Sequence, residues 1–502
     1  MRTGFLRVAA VVGVGLFCAP AVLRADNPDE IARLRARLEA LERRAEELEK
    51  QVQSAGPAGD PKQVEAIVAD YLRRQEQQKQ QDAERAKQAA EASGFEVGRD
   101  LAFRASWRDG LSFQTADGAF RGHVGGIMHA DWGWFTQDAA LAALPPAGAG
   151  PLEDGTNFRR ARLIVDGQLY EVFEFFVEFD FLTGTEVNFR RVWMQVNQLP
   201  YAGQFRAGHF KEPFTLEEAT GENDLTFLER STADEAFAPA FNTGMMFWNP
   251  VFGERATWAA GLFRESNDVG GTDVGDGEYA GTGRVTVLPW YAHEGRCLVH
   301  LGAAYSYRSL NDGQALFRAR PAVRIGAPNF VSTGPIRADH DQLFGGEFAV
   351  VLGPFSVQAE YLSARVSDAV TPAGAADLFF QGYYVQASWF LTGEHRPYNR
   401  RLGGFARVRP HENFWLVATG ADGAGLGFGR GAWEVAVRCG SVDLNDGGVR
   451  GGILYDVTLG LNWYWNPNMK LQWNYVRARR EDVGGSAAGT ADILAMRFAW
   501  DF

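Results

Sequence analysis

From about Leu111 to Phe502, apolar and polar residues alternate with a period of two in one segment after another. No other feature constrains the chain as strongly. Successive side chains of an extended strand point to opposite faces, so each segment reads as a two-faced strand and not as a helix. The last ten residues, ILAMRFAWDF, put Leu494, Met496, Phe498, Trp500 and Phe502 on one face and Ile493, Ala495, Arg497, Ala499 and Asp501 on the other. YEVFEFFVEFDF sets Phe173, Phe175, Val177, Phe179 and Phe181 against Glu174, Glu178 and Asp180. CLVHLGAAYSYR, GAWEVAVRCG and NPNMKLQWNYVR repeat the pattern.

Such strands fit a water-soluble sandwich, with the apolar face as core, or a membrane barrel, with that face in lipid and the polar face lining a wet lumen. Several features select the barrel. Residues 1–25 have the form of a secretory signal peptide: Arg2 and Arg7, the apolar run VAAVVGVGLF, then small residues at Ala19-Pro20-Ala21 and at Ala25. Cys18 follows the bulky Phe17, which argues against lipidation. No later run of about 18 apolar residues offers a transmembrane helix. Aromatic residues make up 13% of the chain and Gly 58 positions, which suits aromatic girdles and tight turns. Short turns expected at Asp166-Gly167, Gly353-Pro354 and Asn466-Pro467 alternate with long loops rich in Gly, Pro and Asp, as periplasmic turns alternate with extracellular loops. A bilayer allows no open sheet edge, so the last strand must pair with the first, placing Phe502 at the membrane interface. There it resembles the signal read by outer-membrane assembly machinery. The expected fold is all-β, a 16-stranded antiparallel transmembrane β-barrel over 121–502 preceded by an N-terminal α-helical coiled coil, with 94–120 as a linker and short hairpin. Cys297 and Cys439 read as isolated strand residues rather than a disulfide.

The coiled coil is read from Ile31, Leu34, Leu38, Leu41, Ala45, Leu48 and Val52, which step by three and four alternately. Flanking residues of opposite charge, Glu30 with Arg35, Arg37 with Glu42 and Arg44 with Glu49, would face each other in a parallel homo-oligomer. SAGPAGDP breaks the helix, and a Gln-, Lys- and Glu-rich segment follows to residue 92. Residues 26–93 are therefore expected to form a periplasmic stalk that promotes a homotrimer and makes contact with the cell wall.

The net charge of −12 argues against nucleic acid as a partner. The eight His residues show no triad or metal-ligand spacing, so neither an enzyme nor a cofactor is expected.

Several stretches resemble the phosphate-selective porin O and P family: WRDGLSFQTADGAFRGHVGGIMHADWGWF (107–135), NFRRARLIVDGQLYEVFEFFVEFDF (157–181), FRAGHFKEPFTLEEAT (205–220), FLERS (227–231), SWFLTGEHRPY (388–398), GAWEVAVR (431–438) and LNWYWNPNMKLQWNY (461–475). The resemblance implies a 16-stranded barrel, usually a homotrimer, that passes small anions such as phosphate across the outer membrane in contact with its lipid. The coiled coil is an addition to the family's core motifs.

In a pore the acting residues are the charges at the constriction. Arg160 and Arg162 lie opposite Ala161, Leu163 and Val165 and are expected in the lumen, with Glu174, Glu178 and Asp180 as neutralising partners. One of Arg190 and Arg191 is expected to face inward. Arg206 and Lys211 flank GHFKEPF, and Arg230 lies in a connection from about 212 to 241 that resembles the loop narrowing a porin lumen. Arginine suits the task because its guanidinium is permanently charged, weakly hydrated and rich in donors. A net charge of −12 is compatible with anion passage where the acids sit on loops and stalk, since selectivity follows the local field. The alternatives are a general, weakly selective porin, and a barrel that serves mainly as an anchor for a wall-binding tether.

Overall fold

The computed structural model describes residues 102–107, 109–143, 150–182, 187–265, 279–310, 313–371, 374–419, 425–481 and 488–502, together with residues 73, 77 and 81. The signal peptide, the stalk helices as a whole and the heptad residues Ile31, Leu34, Leu38, Leu41, Leu48 and Val52 lie outside the described residues.

Sixteen antiparallel strands form one closed barrel. The first five are β1 (Phe120–Gln137), β2 (Gly155–Leu169), β3 (Phe173–Asp180), β4 (Asn188–Leu199) and β5 (Gly203–Lys211). Then come β6 (Phe241–Val251), β7 (Ala256–Arg264), β8 (Tyr279–Ala292), β9 (Cys297–Ser309), β10 (His340–Leu352) and β11 (Phe355–Thr371). The circuit ends with β12 (Gly374–Phe390), β13 (Ala432–Asp446), β14 (Val449–Asn466), β15 (Met469–Glu481) and β16 (Ala488–Asp501). Closure is made by β16 on β1, in register from Asp501 with Ile127 to Ala491 with Gln137. This leaves no unpaired edge, as lipid demands. A hairpin of Phe103–Trp107 and Leu111–Thr115 extends the sheet along the start of β1, below the carboxyl terminus. Its Trp107 ring stacks on Phe502 with centroids 6.1 Å apart.

The alternation maps onto the two faces of the wall. In β16, Leu494 is 46% exposed on the outer face while Ile493 is fully buried inside. Two expectations are corrected. Asp166-Gly167 lies within β2, and the turn to β3 comes after Leu169. Gly167 belongs in a strand because the Phe175 ring of β3 covers it; a Cβ there would lie 2.9 Å from that ring and 2.5 Å from the Arg121 carbonyl oxygen. Moreover, not every connection at the carboxyl-terminal end of the barrel is short. The segment between β12 and β13, residues 391–431, is long and returns toward the lumen: Phe405 N–H donates to Thr220 Oγ1 at 3.2 Å and Arg284 Nη2 donates to the Gly403 carbonyl at 2.7 Å.

Two insertions divide the interior. The connection between β5 and β6 carries α1 (Leu216–Ala219) and α2 (Thr232–Phe237) and is largely buried. The connection between β9 and β10 folds back through short two-residue strand pairs. Together they bury Phe214, Phe237, Phe317, Ile325, Phe330 and Ile336 against inward residues of β10–β16, among them Leu362, Phe380, Val442, Leu454, Val476 and Ile493. That part of the interior is an apolar core, although the same strands also bury charged groups such as Glu347, Glu360, Arg438 and Arg497. Two larger charged cavities lie beside β2–β8.

Candidate functional site

The polar part begins with two β-bulges. In β2 the pairing with β1 shifts between His129 with Arg160 and Ala130 with Phe158, so Arg159 is an extra residue. In β4 the pairing with β3 shifts between Glu178 with Arg191 and Phe179 with Phe189, so Arg190 is the extra one. An inserted residue breaks strict alternation and re-aims its side chain. Both members of each Arg-Arg pair therefore line interior cavities. This corrects the expectation that only one of Arg190 and Arg191 faces in: Arg190 lies over the Phe241 ring at 4.3 Å and Arg191 over Phe176 at 4.5 Å.

The loop between β5 and β6 meets these arginines with carboxylates. It is fixed to the far wall by Glu360, whose oxygens accept from Leu216 N–H at 2.8 Å and Glu217 N–H at 3.0 Å at the start of α1. Thr215 caps α1 by accepting from Glu218 N–H at 2.9 Å, and donates to Asp234 of α2 at 2.6 Å. So held, Glu229 takes Arg159 in a two-point pair of 2.8 and 3.1 Å and also meets Arg497 at 2.7 Å. Arg162 pairs with Glu178 at 3.1 Å and Asp180 at 2.9 Å. Lys211 pairs with Glu218 at 2.7 Å and Glu222 at 3.3 Å, and Arg230 with Glu218 at 3.2 Å. Burial opposes ionisation of Glu229 and Glu222. Arg159 and Arg497 around the first, and Lys211 and Arg162 around the second, nonetheless hold both carboxyls well below the usual carboxylate range. Among the described residues Arg160 meets no carboxylate at contact distance; its Nη1 donates to His129 Nδ1 at 3.1 Å, while His129 Nε2 faces Asn223 Oδ1 at 2.7 Å.

A cavity of about 350 Å³ lies among these groups. Six cations line it, Arg159, Arg160, Arg162, Arg190, Arg230 and Arg324, and so do six carboxylates, Asp180, Glu218, Glu222, Glu229, Asp234 and Glu235. By formal count its charge is balanced, because acids of the lumen loop stand inside beside the arginines. Glu178 and Asp180 act as neutralising partners; Glu174 instead accepts from Gln195 at 3.1 Å.

Glu218 also lines a second cavity, of about 330 Å³, deeper in the barrel. Here Arg191, Arg206, Lys211, Arg284 and Arg401 stand against Glu212 and Glu218. Arg284 is taken by Glu347 through two bonds of 2.7 Å, and Arg191 by Glu178 at 2.5 Å. Among the described residues, no carboxylate lies within ion-pair distance of Arg206. Its Nε donates to Gln195 at 2.9 Å and its guanidinium lies 4.0 Å from the Trp193 ring centre.

All seven arginines and lysines anticipated from the sequence thus line one of these two adjoining cavities. Arg159, Arg284, Arg401 and the acidic loop residues were not anticipated as site residues. A doubled Arg within an alternating strand was the available signal for the bulges. Nothing local in the sequence points to Arg284 or Arg401, which the fold brings together.

The sequence matches the family described as phosphate-selective porin O and P over residues 139–502. It is 27% identical to Porin O of Pseudomonas aeruginosa, over 75% of this chain and 87% of that one. It is also 27% identical to an uncharacterized protein of Caulobacter vibrioides, over 93% of this chain and 89% of that one. The fold aligns with the outer membrane channel DcaP of Acinetobacter baumannii at a TM-score of 0.46 and 10% identity, covering 78% of this chain and 99% of that structure. The closed barrel, its charged lumen and the family match agree: the chain belongs to the phosphate-selective porin O and P family and is an outer-membrane porin.

Proposed function

We propose that this porin passes small anions, phosphate among them, and that its preference arises in the deeper cavity rather than among the outer arginines. Arg206 carries the reading. It is a cation with no carboxylate at contact distance among the described residues, 4.0 Å from the Trp193 ring centre in a cavity where cations outnumber acids. Such a group offers its remaining donors to a passing oxyanion with no carboxylate in direct contact with them among the described residues. The outer cavity, by contrast, supplies as many acids as bases, so the preference is modest. The balance of charge there favours a second reading, a general porin of weak selectivity. In either case the heptads of residues 31–52 would hold three copies together, and the stalk would reach the cell wall.

The test is the zero-current potential of the purified protein in a planar bilayer under a KCl gradient. A potential of the sign set by chloride supports the anion reading. A potential near zero, or one of the cation sign, moves the assignment to the general porin.

A further inference from the structure

The deeper cavity is built with more aromatic surface than a bare oxyanion uses. The Arg191 guanidinium lies 4.5 Å over Phe176, Phe176 stacks on Trp193 with centroids 5.5 Å apart and planes at 10°, and Arg206 lies 4.0 Å over Trp193. These four side chains form a row of cation, ring, ring and cation along the wall of β3–β5. Trp248 and Met246 of β6 continue the apolar surface beside Arg206, whose guanidinium is 5.7 Å from the Trp248 ring.

A guanidinium laid on a ring keeps its N–H groups in its own plane, directed sideways. The cavity therefore offers charged donors immediately beside apolar surface. Inorganic phosphate shows only oxygen to its surroundings. It gains from the donors, nothing from the rings, and gives up part of a strong hydration shell. An anion with one charged end and an apolar body uses both surfaces at once. The volume of about 330 Å³ is enough for one monocyclic molecule.

We propose that the cavity bounded by Phe176, Trp193, Arg206, Met246 and Trp248 is a binding station for organic anions that join a phosphate or carboxylate to an aromatic body, and that it prefers them to inorganic phosphate. This rests on the reading that the lumen passes anions.

The experiment compares probes with the same charged end. Purified full-length protein is placed in a planar bilayer in KCl. Inorganic phosphate and phenyl phosphate, then acetate and benzoate, are titrated as blockers of the chloride current. The expected result is half-block by each aromatic probe at about a tenfold lower concentration than by its counterpart, the scale set by burying part of one ring. Equal block within each pair, in channels that retain anion preference in a KCl gradient, overturns the proposal and leaves the anion porin standing. Absence of anion preference in those channels rejects the underlying reading and the station with it. In channels formed by Trp193→Leu, the difference within each pair should shrink toward none; a difference unchanged from the parent protein also overturns the proposal.

Discussion

Arg497 grips Asp131 across the seam that closes the barrel, with Nε and Nη2 each 2.6 Å from a carboxylate oxygen. Arg497 lies on β16 and Asp131 on β1, and Nη2 also reaches Glu229 of the lumen loop at 2.7 Å. One buried guanidinium thus fastens the first strand, the last strand and the loop that divides the interior. Its removal strips buried Asp131 of its counter-charge and leaves Glu229 to Arg159. Arg497→Gln should destabilise the barrel by about 3–5 kcal/mol, the cost of breaking a buried pair from one side. Asp131→Asn should cost less, because Glu229 still neutralises the arginine. The temperature at which the folded band converts to the unfolded one on gels should fall in that order.

Opposite substitutions in the lumen should move ion preference in opposite directions. Glu222→Gln removes a carboxylate that stands 3.3 Å from Lys211 and 3.8 Å from Arg162, so uncompensated positive charge grows and anion preference rises. Arg206→Gln removes the cation without a carboxylate partner and lowers it. Each change in the chloride-to-potassium permeability ratio should be about twofold to fivefold, the effect of one charge in a wet, high-dielectric passage. Zero-current potentials of the two variants report both signs.

Asp224, in the lumen loop, gives stability a pH dependence of its own. Burial pushes its carboxyl up to about 6 against the pull of Lys470 and Arg407. In the folded protein it keeps its proton at pH values where the unfolded chain has already lost it, so its contribution falls as pH rises from about 4 to 6 and is flat above. Glu222 and Glu229 behave oppositely, but their pairs are lost only below the usual carboxylate range. Between pH 4.5 and 6.5 the Asp224→Asn protein in detergent should therefore lose about 1–2 kcal/mol less than the parent protein does. Thermal midpoints of the two proteins across the window decide it.

Gly403 lies where the segment between β12 and β13 meets the lumen wall. It adopts φ +64°, and a Cβ there would lie 3.0 Å from Thr286 Oγ1 and 3.1 Å from Thr257 Oγ1. Gly403→Val combines a strained backbone, costing about 1–2 kcal/mol, with a side chain that has no room. The segment should withdraw and release Arg284 from the Gly403 carbonyl, raising single-channel conductance. Unchanged conductance with a folded barrel would show that the segment does not limit the passage.

The barrel was legible because the strands follow the same two-face rule over most of their length; β16 shows which residues meet lipid and which turn inward. The count of sixteen followed from that rule and from the turns. The candidate arginines were legible for the same reason, down to the doubling in NFRRARL and NFRRVW. What escaped was the effect of one extra residue on alternation, which put Arg159 and both Arg190 and Arg191 inside. The pairing of arginines with Glu218, Glu222 and Glu229 also escaped. Those contacts depend on where Glu360 and Arg438, more than a hundred residues away in the chain, fasten the loop: Glu360 holds α1, and Arg438 Nη1 donates to the Glu229 carbonyl at 3.1 Å. The Asp166-Gly167 misreading has a local cause, since this dipeptide favours turns unless a neighbouring ring covers the glycine.

The apolar part of the interior has a bearing on how such a barrel acquires its stability. Against lipid, an outward Leu gains little by folding, because hydrocarbon solvates it in either state. Phe237, Phe317, Phe330 and their partners on β10–β16 are different: the loops that carry them leave an aqueous phase to reach the wall. On one side, then, this membrane protein matures the way a water-soluble domain does, by expelling water from a closing interior, while the other side stays wet for traffic. Substitutions should sort accordingly, those within the apolar cluster, such as Phe380 or Leu454, showing up as loss of assembled protein and those among the cavity arginines of β2–β8 as altered flux.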